Sequence, residues 1–177
     1  HNLKHPKIRW VTNHNLNASE DIARIGVPRS KIVPFDWPAV VSPEDFEPKT
    51  SARDPRAPRL LYVGQVREDK GGGDLIDRTA QLIEAGRDSR LTVIGAGDVE
   101  ALRSRASERG IAEKVSFLGK LAHQNVMTAM NDHDVVLIPS WHEYPEGLPN
   151  TIYEGLCSRT PLVVSDHPMF GTRVKDE

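Results

Sequence analysis

The chain has 177 residues, 38% of them hydrophobic and 27% charged, which suffices to bury the core of one ordinary domain or one and a fraction. A formal net charge of -2 excludes the general affinity for nucleic acid that shows as a strongly basic domain or face. The single cysteine, Cys157, excludes an internal disulfide framework, and no apolar run approaches the roughly 18 residues of a membrane-spanning helix.

The chain opens on His-Asn-Leu-Lys without a signal-peptide pattern and closes on a charged run, VKDE, so it is expected to be a fragment of a cytosolic or membrane-surface protein. Ile8 to Thr12 is a short apolar stretch suited to a strand. Asn17, with Glu20 three residues on, resembles a capping box for a helix over Ala18 to Ile25, which Gly26 would end in the left-handed conformation. Lys31 to Pro34 predicts a second strand, and the prolines 34, 38 and 43 keep the following stretch irregular. From Pro48 to Pro58 no apolar side chain is larger than Ala. Residues 48–58 are therefore expected to link an end piece and hinge, 1–47, to a main unit, 59–177.

Beyond the linker the pattern becomes regular. Leu60 to Val63 is a continuous apolar run ending at Gly64, as in a strand buried on both faces. Asp74 to Ala85 carries a helical stripe closed by Gly86. Leu91 to Ile94 predicts a strand, Asp98 caps a helix running through Arg109 that Gly110 ends, and Val115 to Leu118 is the next strand. A short helix over His123 to Met130, a strand over Val135 to Ile138, a helix at Pro149 and a strand over Leu162 to Val164 complete the series. Five such alternations imply an α/β fold: a Rossmann-like, doubly wound parallel sheet covered on both faces. Ligands of such sheets bind at the carboxyl ends of the strands. That rule selects Gly64 to Gly71, Gly95 to Asp98, Gly119-Lys120 and Pro139 to Leu148.

Gly64 to Gly73 holds one lysine, Lys70, and three consecutive glycines, which suits a phosphate-facing loop; alone it reads rather as a flexible connection with a solvated lysine. It lacks the order of residues of a P-loop. Gly95-Ala96-Gly97 follows a strand, but the third glycine of a dinucleotide fingerprint is absent, since Glu100 stands there. No histidine pair among His123, His133 and His142 has the spacing of a helix-borne zinc site, and no metal is expected. Ser140, Ser158 and Ser165 lack a nucleophile elbow, and Cys157 reads as a small buried residue inside an apolar helix. Met127 and Met130 share one helix face and read as core.

The most informative stretch is Pro139 to Gly155. Glu143, Glu146 and Glu154 would each be ordinary surface acids, but they lie where this fold binds ligands. Gly147-Leu148-Pro149 opens a helix with Pro in its first turn, offering free N–H groups to a phosphate. Glu154, five residues beyond Pro149, lies about 7 to 8 Å along that helix, roughly the reach from a diphosphate to its ribose.

At these residues the chain resembles the retaining glycosyltransferases of family 4, or group 1, which have the two-lobed GT-B fold. The resemblance is carried by Glu146-GLPNTIY-Glu154, with Ile138 to Ser140 before it and TPLVVSD, Thr160 to Asp166, after it. It extends to LLYVGQVREDKG (Leu60 to Gly71), LTVIGAGD (Leu91 to Asp98) and VSFLGKL (Val115 to Leu121), while Val11 to Pro34 looks like the end of the first lobe. The resemblance implies a nucleoside-diphosphate sugar as donor and no cofactor. Glu146 would hold donor-sugar hydroxyls, the Gly147 and Leu148 amides the diphosphate, Glu154 the ribose, and Lys70 the departing diphosphate. Gly64, Gln65, Arg67, Gly95, Gly119 and Lys120 complete the expected donor site. A glycan or lipid-linked acceptor would be bound by the missing first lobe, which also admits peripheral contact with the inner face of the membrane. Three departures stand out. Gln65 replaces the family's basic residue, so that either Arg67 substitutes from two positions on or the phosphate clamp is weaker. Phe35-Asp36 replaces Asn-Gly, and Arg159 replaces a Gly whose left-handed backbone would cost Arg about 1 kcal/mol. A catalytically silent nucleotide-binding module and a dinucleotide-dependent oxidoreductase are the alternatives, since fold alone does not fix function.

Overall fold

The computed structural model describes residues 2–13, 16–35, 41–49 and 54–171. Asp36, Pro38, linker residues 50–53 and the terminal VKDE lie outside them. In the first segment, strand β1 (Val11–Asn13) pairs in parallel with β2 (Ile32–Pro34), and helix α1 (Leu16–Arg24) connects them. The strand begins later than the apolar run predicts, because the Ile8 amide closes a turn on the His5 carbonyl at 2.9 Å. Asn17 sits inside α1 rather than capping it. Glu20 does not fold back on the helix start; both its oxygens take the Arg29 guanidinium, at 2.7 and 2.6 Å. Gly26 ends the helix with φ of 90°, as expected.

The main sheet has five parallel strands in the order β5-β4-β3-β6-β7: β3 (Arg59–Val63), β4 (Arg90–Ile94), β5 (Val115–Gly119), β6 (Val135–Ile138) and β7 (Leu162–Val164). Helices α2 (Gly72–Glu84) and α3 (Val99–Glu108) cover one face, and α4 (His123–Asp132) and α5 (Asn150–Cys157) the other. The doubly wound parallel fold read from the sequence is the fold observed. Alternation along β3 explains its unbroken apolar run. Leu60 and Tyr62 pack with Leu75, Ile76 and Leu102, whereas Leu61 packs with Met127, Met130 and Ile152 on the opposite side. Each fully buried aliphatic side chain contributes about 1.5 to 3 kcal/mol, so both faces hold the sheet.

Two helix starts differ from expectation. The first is α2, which begins at Gly72, so Gly72 and Gly73, the last two of the three consecutive glycines, are buried helix rather than open loop. Gly71 caps it with φ of 76°, and a Cβ there would fall on the Pro139 carbonyl oxygen. The glycine run serves close packing of β3's loop against β6's loop. The second is α5, which begins at Asn150, with Pro149 in extended conformation as its N-cap. Cys157 is the last residue of this helix, not its middle. Its Sγ faces the Val41 carbonyl at 3.4 Å, and burial pushes the thiol's pKa up, away from a reactive thiolate.

Arg159 has φ of 56°, the one left-handed non-glycine among the described residues. Its guanidinium offsets that cost by donating to the carbonyls of Pro43 and Phe46 at 3.0 and 3.1 Å. Lys49 likewise donates to the carbonyl of His133 and the hydroxyl of Thr160, at 2.6 and 2.7 Å. The chain entering the sheet is thus clasped against α4 and α5.

Candidate active site

The chain runs outward from β3 to β4 and β5, then crosses back to β6 on the other side of β3. The reversal leaves a crevice beyond the carboxyl ends of β3 and β6, the place where open α/β sheets take ligands. Lys70 enters it from the loop after β3, and Glu146 from the loop after β6. Lys70 Nζ hydrogen-bonds Glu146 Oε2, and the side chains are 17% and 11% exposed. Ser140, just past β6 and 2% exposed, donates its hydroxyl to the same oxygen at 2.9 Å. Among the described residues Glu146 Oε1 has no partner.

The Tyr144 ring lies 4.6 Å from Lys70 Nζ and 5.7 Å from the Arg67 guanidinium, within cation–π range of both. His167, buried behind the loop, holds the Tyr144 carbonyl through Nε2 at 2.8 Å. On the β3 side, the buried Tyr62 hydroxyl donates to the Gln65 carbonyl at 2.7 Å. Its burial, with Glu146's charge nearby, raises the phenol's pKa, so it stays protonated and braces the turn. The amides of Gly147 and Leu148 carry no hydrogen bond among the described residues, just before the α5 N-terminus. They are available to an anion.

Glu154 sits on α5 with Oε1 2.9 Å from His123 Nε2, at the start of α4. Beside it a hollow of about 600 Å³ opens between the ends of β3, β4 and β5. Gly64, Gln65, Gly95 and Lys120 line it, and Gly119 closes β5 at its edge, its carbonyl accepting from the Gly95 amide at 2.8 Å. A Cβ at Gly95 would strike the Gly64 carbonyl oxygen, so this glycine answers the backbone of the neighbouring loop. Gly97 meets Val66 in the same way.

Arg67 does not enter this hollow. Its guanidinium pairs with Asp69 at 2.8 and 2.6 Å, which raises the arginine's pKa and lowers the aspartate's; both face a neighbouring cavity of about 410 Å³. Gln65 keeps the position, and Arg67 is committed to Asp69. Glu143 lies exposed beside Asp74 and Asp166, apart from Glu146. A larger apolar hollow of about 740 Å³ lies at the opposite ends of the strands, against Leu60, Val135 and Pro161. It sits at the end of the sheet that such folds do not use for ligands.

Ser140, Tyr144, His123 and His167 escape sequence reasoning about the site. In the sequence Ser140 reads as part of the motif Ile138 to Ser140 and as a serine without a nucleophile elbow, and no periodicity announces a side chain whose partner depends on how a loop folds back.

Together the open five-stranded sheet, its switch-point crevice and the paired loops define one Rossmann-like lobe. A family model, glycosyl transferases group 1, matches residues 43–177. The chain belongs to that family. It is 32% identical over 118 residues to the phosphatidyl-myo-inositol mannosyltransferase of Mycobacterium leprae, covering 66% of this chain and 30% of that one. It is 30% identical over 156 residues to the glycogen synthase of Mycobacterium tuberculosis, covering 86% and 34%. The chain thus spans about a third of the length of these curated relatives. Among solved structures, pneumococcal GtfA, an O-GlcNAc transferase in complex with UDP and GlcNAc, superposes with a TM-score of 0.79 at 17% identity, covering 99% of this chain and 34% of that one. Anabaena HepE in complex with UDP-glucose gives 0.76 at 16% identity, covering 95% and 48%. No helix among the described residues is long and apolar enough to cross a membrane.

Proposed function

We propose that this chain is the donor-binding part of a retaining glycosyltransferase that moves a hexose from a nucleoside-diphosphate sugar to a glycan or lipid-linked acceptor. The observation that carries the reading is the meeting of Lys70 and Glu146 at the switch point, beside the free amides of Gly147 and Leu148. A departing diphosphate gains negative charge, and a fixed cation and backbone amides just before α5 oppose that charge without reorganising. Glu146 would accept hydroxyls of the donor sugar through Oε1. Glu154 would accept the ribose hydroxyls, and the hollow lined by Gly64, Gln65, Gly95 and Lys120 would take the nucleoside. The names of the relatives, which transfer mannose or build glycogen, and the UDP-bound neighbours support this donor class. The acceptor, and any membrane contact, would belong to the first lobe; residues 1–47 would be its end and the hinge, and 48–58 the linker. The chemistry assigned to these residues calls for no metal and no cofactor.

The oxidoreductase reading is disfavoured by Gly95 and Gly97, whose open sides face the backbone of Gly64 and Val66 rather than a pyrophosphate. Calorimetric titration of the full-length protein with UDP-glucose and with NAD separates the readings: sugar-nucleotide binding is expected, and selective dinucleotide binding would overturn it. Glu146→Gln is expected to lower turnover about 100-fold or more. Unchanged turnover would leave Glu146 without a catalytic part, whereas donor binding without any turnover in the wild-type full-length protein would favour a silent nucleotide-binding module.

A further inference from the structure

Glu146 is held from one side only. Both of its hydrogen bonds, from Lys70 Nζ and from the Ser140 hydroxyl, converge on Oε2, and Oε1 is left without a partner among the described residues. A terminal carboxylate torsion is broad, so one donor alone leaves the carboxylate plane free to turn about that donor. Two donors from different loops fix it. Lys70 arrives from the β3 side and can be drawn away, because the anion it is suited to bind would compete for its three N–H groups. Ser140 arrives from β6 and has no such second duty.

The serine is itself anchored. Its side chain is 2% exposed, and its carbonyl accepts the Ser165 hydroxyl at 2.6 Å, while the Ser165 amide donates to the Ile138 carbonyl at 3.0 Å. The end of β7 therefore grips the end of β6 on both sides of Pro139, and the Ser140 hydroxyl projects from that doubly tied backbone. A buried hydroxyl needs a partner, and the acceptor found here is a largely buried carboxylate, which gains most from a charge-assisted bond.

We propose that Ser140 is a positioning residue for Glu146. It keeps Oε2 engaged so that Oε1 stays turned to the donor sugar when the diphosphate draws on Lys70. The inference rests on the donor-site reading above. It places sugar recognition, as distinct from nucleotide recognition, under the control of a residue that touches no substrate.

The test compares UDP and UDP-glucose as probes in the full-length protein, with wild type, Ser140→Ala and Ser140→Thr. Ser140→Ala is expected to weaken UDP-glucose binding about tenfold while leaving UDP binding within about twofold. Ser140→Thr, which restores a hydroxyl, is expected to recover most of the loss. Equal losses for UDP and UDP-glucose in Ser140→Ala would show a merely structural serine and overturn the proposal. So would wild-type affinity for both probes. Wild-type protein that binds neither probe would instead overturn the donor-site reading, and the role of Ser140 with it.

Discussion

The crevice between β3 and β6 and the hollow between β3, β4 and β5 both follow glycine-bearing turns at the same edge of one sheet, yet they are built from different materials. In the hollow, backbone meets backbone: the Gly64 amide bonds the Ile94 carbonyl at 3.0 Å, the Val66 amide that of Ala96 at 2.9 Å, and glycines permit the approach. In the crevice, side chains meet across 76 positions of sequence, and a cation, a carboxylate and a buried hydroxyl share one oxygen. A cleft shaped by backbone can offer room and amide groups to a flat ligand. Directed charge that can answer charge developing in a reaction requires side chains held by partners.

Three changes would break or sharpen that contrast. The largest effect on stability is expected from Lys70→Met, which leaves the Glu146 carboxylate largely buried with its cation gone. Urea unfolding should register a loss of about 3 to 5 kcal/mol. Glu146→Gln in the same protein should restore part of it, giving a coupling energy of about 1 kcal/mol or more in a double-mutant cycle. Strictly additive losses would mean the pair does not act as a unit.

Next comes the backbone-built side. Gly95→Ala, with φ of 149° and the Gly64 carbonyl in the way, should cost about 3 kcal/mol, whereas Gly119→Ala, at φ of 67° with nothing nearby, should cost only about 1 kcal/mol. Equal costs would remove the case for close approach at Gly95.

The smallest effect is a pH dependence at the seam joining the two halves of the sheet. His133 bonds the Ala129 carbonyl at 2.6 Å and the Thr92 hydroxyl at 2.9 Å, and burial first of all holds its pKa below the ordinary value of 6.5. Above that value the imidazole is neutral in both folded and unfolded chains. As pH falls below it the unfolded chain takes up the proton first, so stability declines towards the folded pKa. Unfolding free energies measured from pH 7 to 5 should show this slope in wild type and a shallower one in His133→Gln.

Much of the fold was legible in the sequence. β6 and β7 fall on the residues their apolar runs mark, although β6 is a central strand and β7 an edge strand that leaves Val163 exposed. Boundaries failed where glycine or proline had two uses. Gly71 to Gly73 read as loop because sequence does not distinguish a glycine kept for freedom from one kept for contact, and Pro149 suits both the first turn and the residue before it. At the site, Lys70, Glu146 and Glu154 could be picked out because strand ends and a family motif mark them. The bonds of Ser140, Tyr144 and His123 could not, since each depends on a partner in another turn of the backbone. Arg159 was legible as a backbone cost. Its hold on Pro43 and Phe46 was not, lying more than 110 positions away.

The strand order also sets a sequence of assembly. The hollow draws on residues from Val63 to Val126, so a chain emerging from a ribosome holds every part of it before β6 has been made. The crevice cannot exist until Glu146 and the turn beyond it have arrived and β6 has paired on the far side of β3. Loop closure over that span is the dearer step in chain entropy. During synthesis the hollow therefore precedes the crevice, and the ion pair of Lys70 with Glu146 marks the later of the two to be completed.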